Sequence, residues 1–159
     1  MTDNLRAFLE KRPIVTSAPC RIDLGGTLDL ATFYNPLRHL APCTFNAAVN
    51  LRTTVRLESY RSGRLKITSR GFPAAEFPSD AAPFDHPLGL MAAVAAFFNA
   101  DGVHVRIDSA SPPRSALGGS SVAAVALIAA FTVASGLRKF TGAVRRQIAM
   151  VAHSIESSV

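Results

Sequence analysis

The stretch SPPRSALGGSS at residues 111–121 places two glycines and two serines directly before a long apolar run. Gly118 and Gly119 let a ligand approach the main chain closely, because they carry no Cβ atom. The first N–H groups of a helix have no partner inside it, and together with the helix dipole they attract anions. Ser120 and Ser121 add hydroxyl groups that can bind a phosphate or a Mg²⁺ ion. The stretch is therefore well suited to hold a polyphosphate.

The same residue types also suit an ordinary helix cap, since small polar residues commonly precede an apolar helix. The spacing alone favours neither reading over the other. No GK[ST] triplet follows the glycines, and a GxGxxG pattern is absent, so the stretch is neither a Walker A loop nor a dinucleotide fingerprint.

Two other places carry groups that could do chemistry. The segment CRIDLGGTLDL at residues 20–30 combines a cation, Arg21, with the carboxylates Asp23 and Asp29 around a glycine pair. By itself it reads as a glycine-broken turn after a strand. Glu156 lies near the end of the apolar-striped segment that closes the sequence, where a glutamate alone is typical of a solvated helix surface.

These groups need a scaffold, and the periodicity of apolar residues supplies one. Alternating residues predict half-buried strands, and apolar residues at helical spacing predict helices. The strands at 49–58 and 64–69 flank RSG, which predicts a hairpin between them. Residues 71–83 carry three prolines and predict a loop. The predicted strands are 14–19, 49–58, 64–69 and 103–109, and the predicted helices are 3–11, 87–99, 119–135 and one starting at Thr141.

The ends of the helices have their own signals. Asp85 with Pro87 predicts the start of the second helix. Gly136 predicts the end of the third helix, and Thr141 predicts the cap of the last one. The last helix has an apolar stripe at helical spacing, formed by Val144, Ile148, Val151, Ala152 and Ile155.

Composition narrows the class of partner. Lys and Arg total 17 against 11 acidic residues, which gives a net charge of +6 and favours anionic partners. The basic residues are scattered, so nucleic acid is not expected. The apolar stretches 88–98 and 122–134 fall short of the ~20 residues that span a bilayer, which predicts buried helices of a soluble protein. Cys20 and Cys43 lack metal or disulfide spacing, so a cytoplasmic location is expected.

The stretch PPRSALGGSSVAA resembles the second motif of the GHMP kinases, the family of galactokinase, homoserine kinase, mevalonate kinase and phosphomevalonate kinase. That motif reads roughly P-x-x-x-G-L-G-S-S-A-A. Ala116 stands where the family has its first glycine, and Gly119 stands where the family has its first serine. Both replacements are small residues, so the loop is expected to remain able to hold phosphates. The matching positions are Pro112, Ala116, Leu117, Gly118, Gly119 and Ser120.

The earlier segment APCRIDLGGTLDL resembles the first motif of the same family. It is closer to the R-I-[SD]-[FL]-x-G-G-x-x-D form of heptose-phosphate and fucose kinases than to the galactokinase form, although it is one residue short. The Glu–His pair of galactokinases is absent, which argues against galactose. The matching positions are Pro19, Arg21, Asp23, Leu24, Gly26 and Asp29.

The resemblance implies an α+β fold, like the family's N-terminal domain (ribosomal protein S5 domain 2-like), with a mixed or antiparallel sheet packed on helices. It also implies ATP-dependent phosphorylation of a small alcohol, most readily a sugar or sugar phosphate, with ATP and Mg²⁺ as cofactors. The resemblance implies that Arg21 is catalytic and lies beside the transferred phosphate. It implies that Asp23, Gly26 and Asp29 bind the substrate and that Ser120 and Glu156 bind Mg²⁺. The residues implied to bind the nucleotide are Pro112, Ala116, Leu117, Gly118, Gly119, Ser120 and Ser121.

The resemblance covers residues 1–159 as the first half of a GHMP kinase. The family's catalytic Asp segment and C-terminal domain follow the position of Glu156, so the 159-residue chain alone is expected to be inactive. Either it is a fragment or a truncated gene product, and it needs its other half or a partner chain. Three alternatives stay open: a nucleotide-binding protein without catalysis, a kinase for another substrate of the family such as mevalonate or homoserine, and an interaction module that docks through its Ala-rich helices.

Overall fold

The computed structural model describes residues 2–25, 35–112, 115 and 117–159 of the chain. In this part of the chain, helices and strands alternate irregularly. The elements are α1 Thr2–Lys11, β1 Ile14–Gly25, α2 Asn35–Leu37 with the 3-10 turn Arg38–Leu40, β2 Phe45–Ser59, β3 Arg64–Ser69, β4 Ala75–Pro78, α3 Gly89–Phe97, β5 Val103–Ser109, α4 Gly119–Ala134 and α5 Gly142–Glu156.

The five strands form one mixed sheet in the order β1-β2-β5-β3-β4. All neighbours are antiparallel except β3 and β5, which run parallel. The predicted hairpin of β2 and β3 is therefore wrong. Both edges of β2 are already paired, one with β1 and the other with β5, and β5 separates β2 from β3. The short link between β2 and β3 crosses the end of β5 instead, where Tyr60 N donates to Gly102 O at 2.6 Å.

Two segments of the sheet were not predicted as strands. β1 runs on to Gly25, although residues 20–30 were predicted as a turn. It tolerates Pro19 because it is an edge strand, and its register shifts between Pro19 and Arg21. β4 lies inside the segment that was predicted as a loop, and it also forms an edge, where Pro78 is accommodated.

The helices cover one face of the sheet, which confirms the α+β class. α4 is central, because it packs on β1, β2 and β5 as well as on α3 and α5. A helix in that position is buried on most of its surface, which explains its nearly unbroken apolar sequence. Thr16 Oγ1 also donates to Ala126 O at 2.6 Å, which ties β1 to α4. The largest fully buried side chains are Phe131, Leu57, Leu65, Ile67, Leu127 and Ile128.

The helix ends agree with the predictions in part. Thr141 caps α5, since its hydroxyl accepts from Val144 N at 3.3 Å. The start of α3 lies later than Asp85, at Gly89. A Cβ atom on Gly89 would collide with the carbonyl group of Phe84, so this position requires glycine. Within the described residues, no helix has the length and apolar character that crossing a membrane requires.

The outer face of the sheet carries a network of paired charges. Glu58 accepts from Arg56 Nε at 2.6 Å and lies 3.6 Å from both His104 Nδ1 and Arg106 Nη1. The hydrogen bond from Arg56 holds the pKa of Glu58 below its usual range. Burial lowers the pKa of His104, whose Nε2 lies 3.0 Å from Thr68 Oγ1. Charges on this face therefore neutralise one another.

A second cluster on the same face is centred on a glutamate. Glu76 accepts from Tyr60 Oη and from Arg64 Nε, both at 2.9 Å. The hydrogen bond from Arg64 lowers the pKa of Glu76, and the hydrogen bond to Glu76 raises the pKa of Tyr60. Lys66 Nζ lies 5.4 Å from the centre of the Tyr60 ring, within cation–π range.

Candidate functional site

The start of α4 is open. Gly118 is its N-cap residue in the left-handed conformation, with φ 72° and ψ 32°, and no side chain caps the helix. The helix ladder begins with Val122 N, which donates to Gly118 O at 2.9 Å. The N–H groups of the three residues before Val122 thus have no carbonyl partner within the helix. Gly119 and Ser120 are exposed there, so an anion can reach these N–H groups.

Arg21 from β1 lies directly against this helix start. A Cβ atom on Gly118 would lie 2.6 Å from Arg21 Nη1, so the guanidinium group occupies the space that a side chain would need. The main chains also meet, since Arg21 N donates to Leu117 O at 3.4 Å. The structure therefore brings the two glycine-containing motifs together. A cation beside N–H groups that have no partner within the helix is a suitable arrangement for stabilising phosphate charge.

A cavity of about 410 Å³ opens at the same place. One side is polar and includes Gly119 and Ser120 of the helix start, and the other side is apolar and is formed by the start of α3 and the turn after β3. Its volume falls in the range of small-molecule sites, which typically combine an apolar wall with a few polar groups. The lining residues are Thr53, Ser69, Arg70, Gly71, Phe72, Pro87, Leu88, Leu90, Met91, Ile107, Ser109, Ser111, Pro112, Ser115, Leu117, Gly119, Ser120 and Ala123.

Two cations at the cavity have no counter-charge among the described residues. Arg70 lines the cavity, and Arg21 lies at the helix start. Neither side chain forms an ion pair or a hydrogen bond with any residue that the structure describes. A cation at an open helix start, with a second cation on the wall of the adjoining cavity, favours a ligand with several negative charges.

Glu156 from α5 reaches the same region, but through Ser121. Ser121 Oγ donates to Glu156 Oε1 at 2.6 Å, and both residues are half-buried. Ser120, which the family resemblance pairs with Glu156 in the magnesium site, is exposed at the cavity. Mg²⁺ is usually bound by one or two carboxylates together with substrate phosphates and waters. One carboxylate beside a serine-rich helix start fits that requirement, although no cluster of three or more His, Cys, Asp or Glu occurs among the described residues.

Of the other predicted site residues, some line the cavity, one lies on β1, and the rest are outside the described part of the chain. Pro112 and Leu117 line the cavity, while Asp23 is exposed on β1 and accepts from Gly25 N at 3.1 Å. Gly26, Asp29 and Ala116 lie outside the described residues.

The cavity residues that were not predicted from the sequence include one cation and three hydroxyl-bearing residues, Arg70, Thr53, Ser109 and Ser111. Arg70 was one of many scattered cations in the sequence. Alternation along 49–58 puts Thr53 on the same face of the strand as Leu51 and Val55, which gives it no separate role. A threonine between Leu51 and Val55 on that face could have indicated a polar contact there, because a hydroxyl group in a core position needs a hydrogen-bond partner.

Comparison with known families adds an independent finding. Residues 86–159 match the family model described as GHMP kinases N terminal domain. The resemblance to the GHMP kinases is confirmed. The matched segment contains both the helix start and Glu156, whereas Arg21 lies before it. No curated protein sequence matches the chain.

Solved GHMP kinase structures and their neighbours share the fold over almost the whole chain. A putative sugar kinase from Campylobacter jejuni has a TM-score of 0.69 at 22% identity and covers 92% of this chain and 45% of its own. Galactokinase from Lactococcus lactis, complexed with galactose, gives 0.69 at 17% identity over 94% and 38%. A D-glycero-D-manno-heptose 1-phosphate kinase from Bacteroides thetaiotaomicron has a TM-score of 0.68 at 21% identity, and the match covers 90% of this chain and 47% of the kinase. The chain thus spans less than half the length of these structures.

Proposed function

We propose that the chain is the N-terminal, nucleotide-binding domain of a GHMP-type kinase, extending over residues 1–159, and that it binds ATP at the start of α4. The observation that carries this proposal is the contact of Arg21 with Gly118, because it sets a cation that has no ion-pair partner among the described residues against an open helix N-terminus. Phosphoryl transfer depends on positioning the phosphates and offsetting their charge, which is what these groups can do.

The cavity can accommodate the rest of the nucleotide. The phosphates would lie against Gly119 and Ser120, and the apolar wall around Leu88 and Met91 would contact the base. Arg70 would approach the phosphates from the opposite side of the cavity. Mg²⁺, when bound, would bridge phosphate oxygens and neutralise their charge. Glu156 and Ser120 are the residues that would hold it.

The substrate is proposed to be a small alcohol, most readily a sugar or sugar phosphate. Asp23, Gly26 and Asp29 would bind its hydroxyl groups, and Arg21 would offset charge as the phosphate moves to the acceptor oxygen. The names of the structural neighbours support this class, since they include a galactokinase and a heptose 1-phosphate kinase. The family also includes mevalonate kinase, whose Methanococcus jannaschii structure has a TM-score of 0.64 with this chain. The cytoplasmic location stays a prediction.

The far end of the β1–β2 ribbon supports the proposal that a further domain or partner chain completes the enzyme. Leu24 and Phe45 are 57% and 72% exposed there, and Leu40, five residues before Phe45 in the sequence, is 67% exposed. Large apolar side chains grouped in this way mark a surface that another unit covers. The chain alone is therefore proposed to bind nucleotide without efficient turnover.

Titration calorimetry with Mg·ATP tests the proposal on the 159-residue chain. We expect saturable binding, and binding of tripolyphosphate at the same site, because the phosphates make most of the proposed contacts. Circular dichroism in the near ultraviolet would establish that the protein is folded. Absence of binding at millimolar Mg·ATP by folded protein would refute the proposed function.

A further inference from the structure

A row of three hydroxyl groups forms the floor of the cavity. Thr53 Oγ1 lies 3.0 Å from Ser109 Oγ, which lies 2.9 Å from Ser111 Oγ. Thr53 and Ser109 are cross-strand neighbours in β2 and β5, and Ser111 follows β5 in the loop. Thr53 is completely buried, and it is the one buried polar or charged residue in the described part of the chain.

The position of Thr53 does not by itself need a hydroxyl group. It lies on the core face of β2 together with Val55 and Leu57, where a valine of the same shape would avoid the cost of burying a polar atom. The hydroxyl group is retained inside a fully satisfied network, since no described buried side-chain polar atom lacks a partner. A role in orienting its neighbours accounts for it better than packing does.

Counting donors and acceptors shows that the row has a direction. Ser111 N donates to Ser109 Oγ at 3.3 Å, which uses one of the two acceptor sites of that oxygen. Thr53 and Ser111 cannot both donate their hydroxyl protons to Ser109, because one acceptor site is left. Either the protons point from Thr53 through Ser109 to Ser111, or they point the opposite way, towards Thr53 and then Cys20 Sγ at 3.9 Å.

The two directions present different groups to the cavity. In the first, Ser109 donates to Ser111, and the proton of Ser111 is available to a ligand. In the second, Ser111 uses its proton on Ser109 and presents only lone pairs. A phosphate offers acceptor atoms only, so it selects the first direction, and each bond in the chain then polarises the next.

Ser111 also lies in the right place for such a ligand. Its Oγ is 3.9 Å from the position that a Cβ atom on Gly119 would take, and both residues line the cavity. The hydroxyl group therefore lies beside the first turn of α4, at the residue that follows Gly118.

We propose that Ser111 is a further phosphate-binding residue, and that Thr53 is a positioning residue that directs the Ser111 proton into the cavity through Ser109. This inference rests on the proposed nucleotide site. Loss of Thr53 would leave an acceptor site on Ser109 unfilled, and the proton of Ser111 would turn inwards to fill it. Binding of phosphates would weaken although Thr53 itself touches no ligand.

The test compares four variants for binding of Mg·ATP, tripolyphosphate and adenosine. Ser111→Ala should weaken Mg·ATP and tripolyphosphate about tenfold to a hundredfold, as expected for a hydrogen bond to a charged group. Thr53→Val should weaken both about threefold to tenfold. Thr53→Ser should restore the wild-type affinity, and Thr54→Val, on the neighbouring residue that faces the outer side of the sheet, should leave it unchanged. Adenosine binding should be the same for all four.

The possible results separate this inference from the proposed function. If folded wild-type protein binds neither Mg·ATP nor tripolyphosphate, the proposed function fails and this inference fails with it. If the wild type binds both and Ser111→Ala binds them equally well, the phosphate contact of Ser111 and the positioning role of Thr53 are both wrong, while the proposed function stands. If Thr53→Val keeps full affinity, the positioning role is wrong. Equal weakening of adenosine and tripolyphosphate would show a collapsed cavity and would also overturn the proposal.

Discussion

The outer face of the sheet and the start of α4 are both rich in cations, but they use them differently. On the outer face, Arg56 and Arg64 each contact a glutamate, and the pKa of each glutamate is lowered by its arginine. At the start of α4 and on the wall of the adjoining cavity, Arg21 and Arg70 form no ion pair with an acidic group of the described chain. Hydroxyl groups and main-chain N–H groups surround them instead.

This difference separates a structural role from a binding role for residues of the same type. Exposed ion pairs contribute little to stability, typically below about 1 kcal/mol each, but they leave no charge for a partner. Cations that converge without a counter-charge repel one another and cost stability, so their arrangement is favourable only with an anion present. Variants that exchange or remove these features should therefore change different measurements in the two regions.

The largest contrast is expected from two glycines with the same conformation. Gly118 and Gly63 have φ of 72° and 73°, but a Cβ atom on Gly118 meets Arg21 whereas none lies within 4 Å at Gly63. Gly118→Val and Gly63→Val should each lower the free energy of unfolding by about 1–2 kcal/mol, because a side chain is strained at positive φ. Gly118→Val alone should lower tripolyphosphate affinity, by about a hundredfold, because its side chain displaces Arg21 and also obstructs the approach of the phosphates to the main chain at the helix start. If calorimetry gave equal tripolyphosphate affinities for the two variants, a phosphate site at the start of α4 would be contradicted.

The next contrast removes one positive charge from each region. Arg21→Gln and Arg70→Gln should each weaken Mg·ATP about threefold to tenfold and reduce the salt dependence of binding, because each loses a charge-assisted contact. Arg56→Gln, which changes the net charge equally, should leave the affinity within about twofold. A similar loss for all three variants would mean that only the overall charge of +6 attracts the nucleotide.

A smaller contrast lies within the site itself. Ser121→Ala should lower the free energy of unfolding by about 1–2 kcal/mol, because Glu156 loses a hydrogen bond at 2.6 Å. Ser120→Ala should change it by less than about 0.5 kcal/mol, since Ser120 is exposed. If Ser120 contacts Mg²⁺, then Ser120→Ala should lower ATP affinity in the presence of Mg²⁺ more than Ser121→Ala does. Urea unfolding measures the effect on stability, and calorimetry measures the effect on ATP affinity. If Ser121→Ala has the larger effect in both measurements, Ser120 does not belong to the metal site.

The smallest expected effect concerns the outer face. Burial lowers the pKa of His104 in the folded state, and Lys66 and Arg106 lower it further while Glu58 opposes them. The unfolded chain therefore binds the proton at higher pH, and stability should decrease as the pH falls below about 6.5. His104→Gln should make that slope shallower in urea titrations between pH 7 and 5, without changing ATP affinity. An unchanged slope, compared with the exposed His39→Gln control, would refute the contribution of His104.

Local patterns predicted the parts of the fold that depend on neighbours in sequence. The bounds of β3 and β5, the run of α4 and the Thr141 cap all follow from periodicity and capping. The pairing of β2 was wrong because the alternation in a strand specifies which face is buried and contains no information on which strand lies at its edge. The extension of β1 past Pro19 was missed because proline and glycine signals in an edge strand resemble those of a turn.

The site was predictable to a similar degree. The motifs indicated the helix start and Arg21, and the structure places them in contact. The hydrogen bond between Ser121 and Glu156 was not anticipated, because the relative rotation of α4 and α5 depends on core packing and not on either sequence alone. The row from Thr53 to Ser111 was missed because its members come from different strands and meet only through the register of β2 with β5.

The central place of β5 also has a consequence for how the chain folds. Before residues 103–109 join, β1 pairs only with β2 and β3 pairs only with β4, so the sheet consists of two separate ribbons. A two-stranded ribbon is marginally stable in water. The last strand in sequence therefore unites the two halves, and the ribbons gain their stability together when it inserts. Most contacts that hold the sheet are distant along the chain, which favours slow, all-or-none folding over stepwise addition of strands.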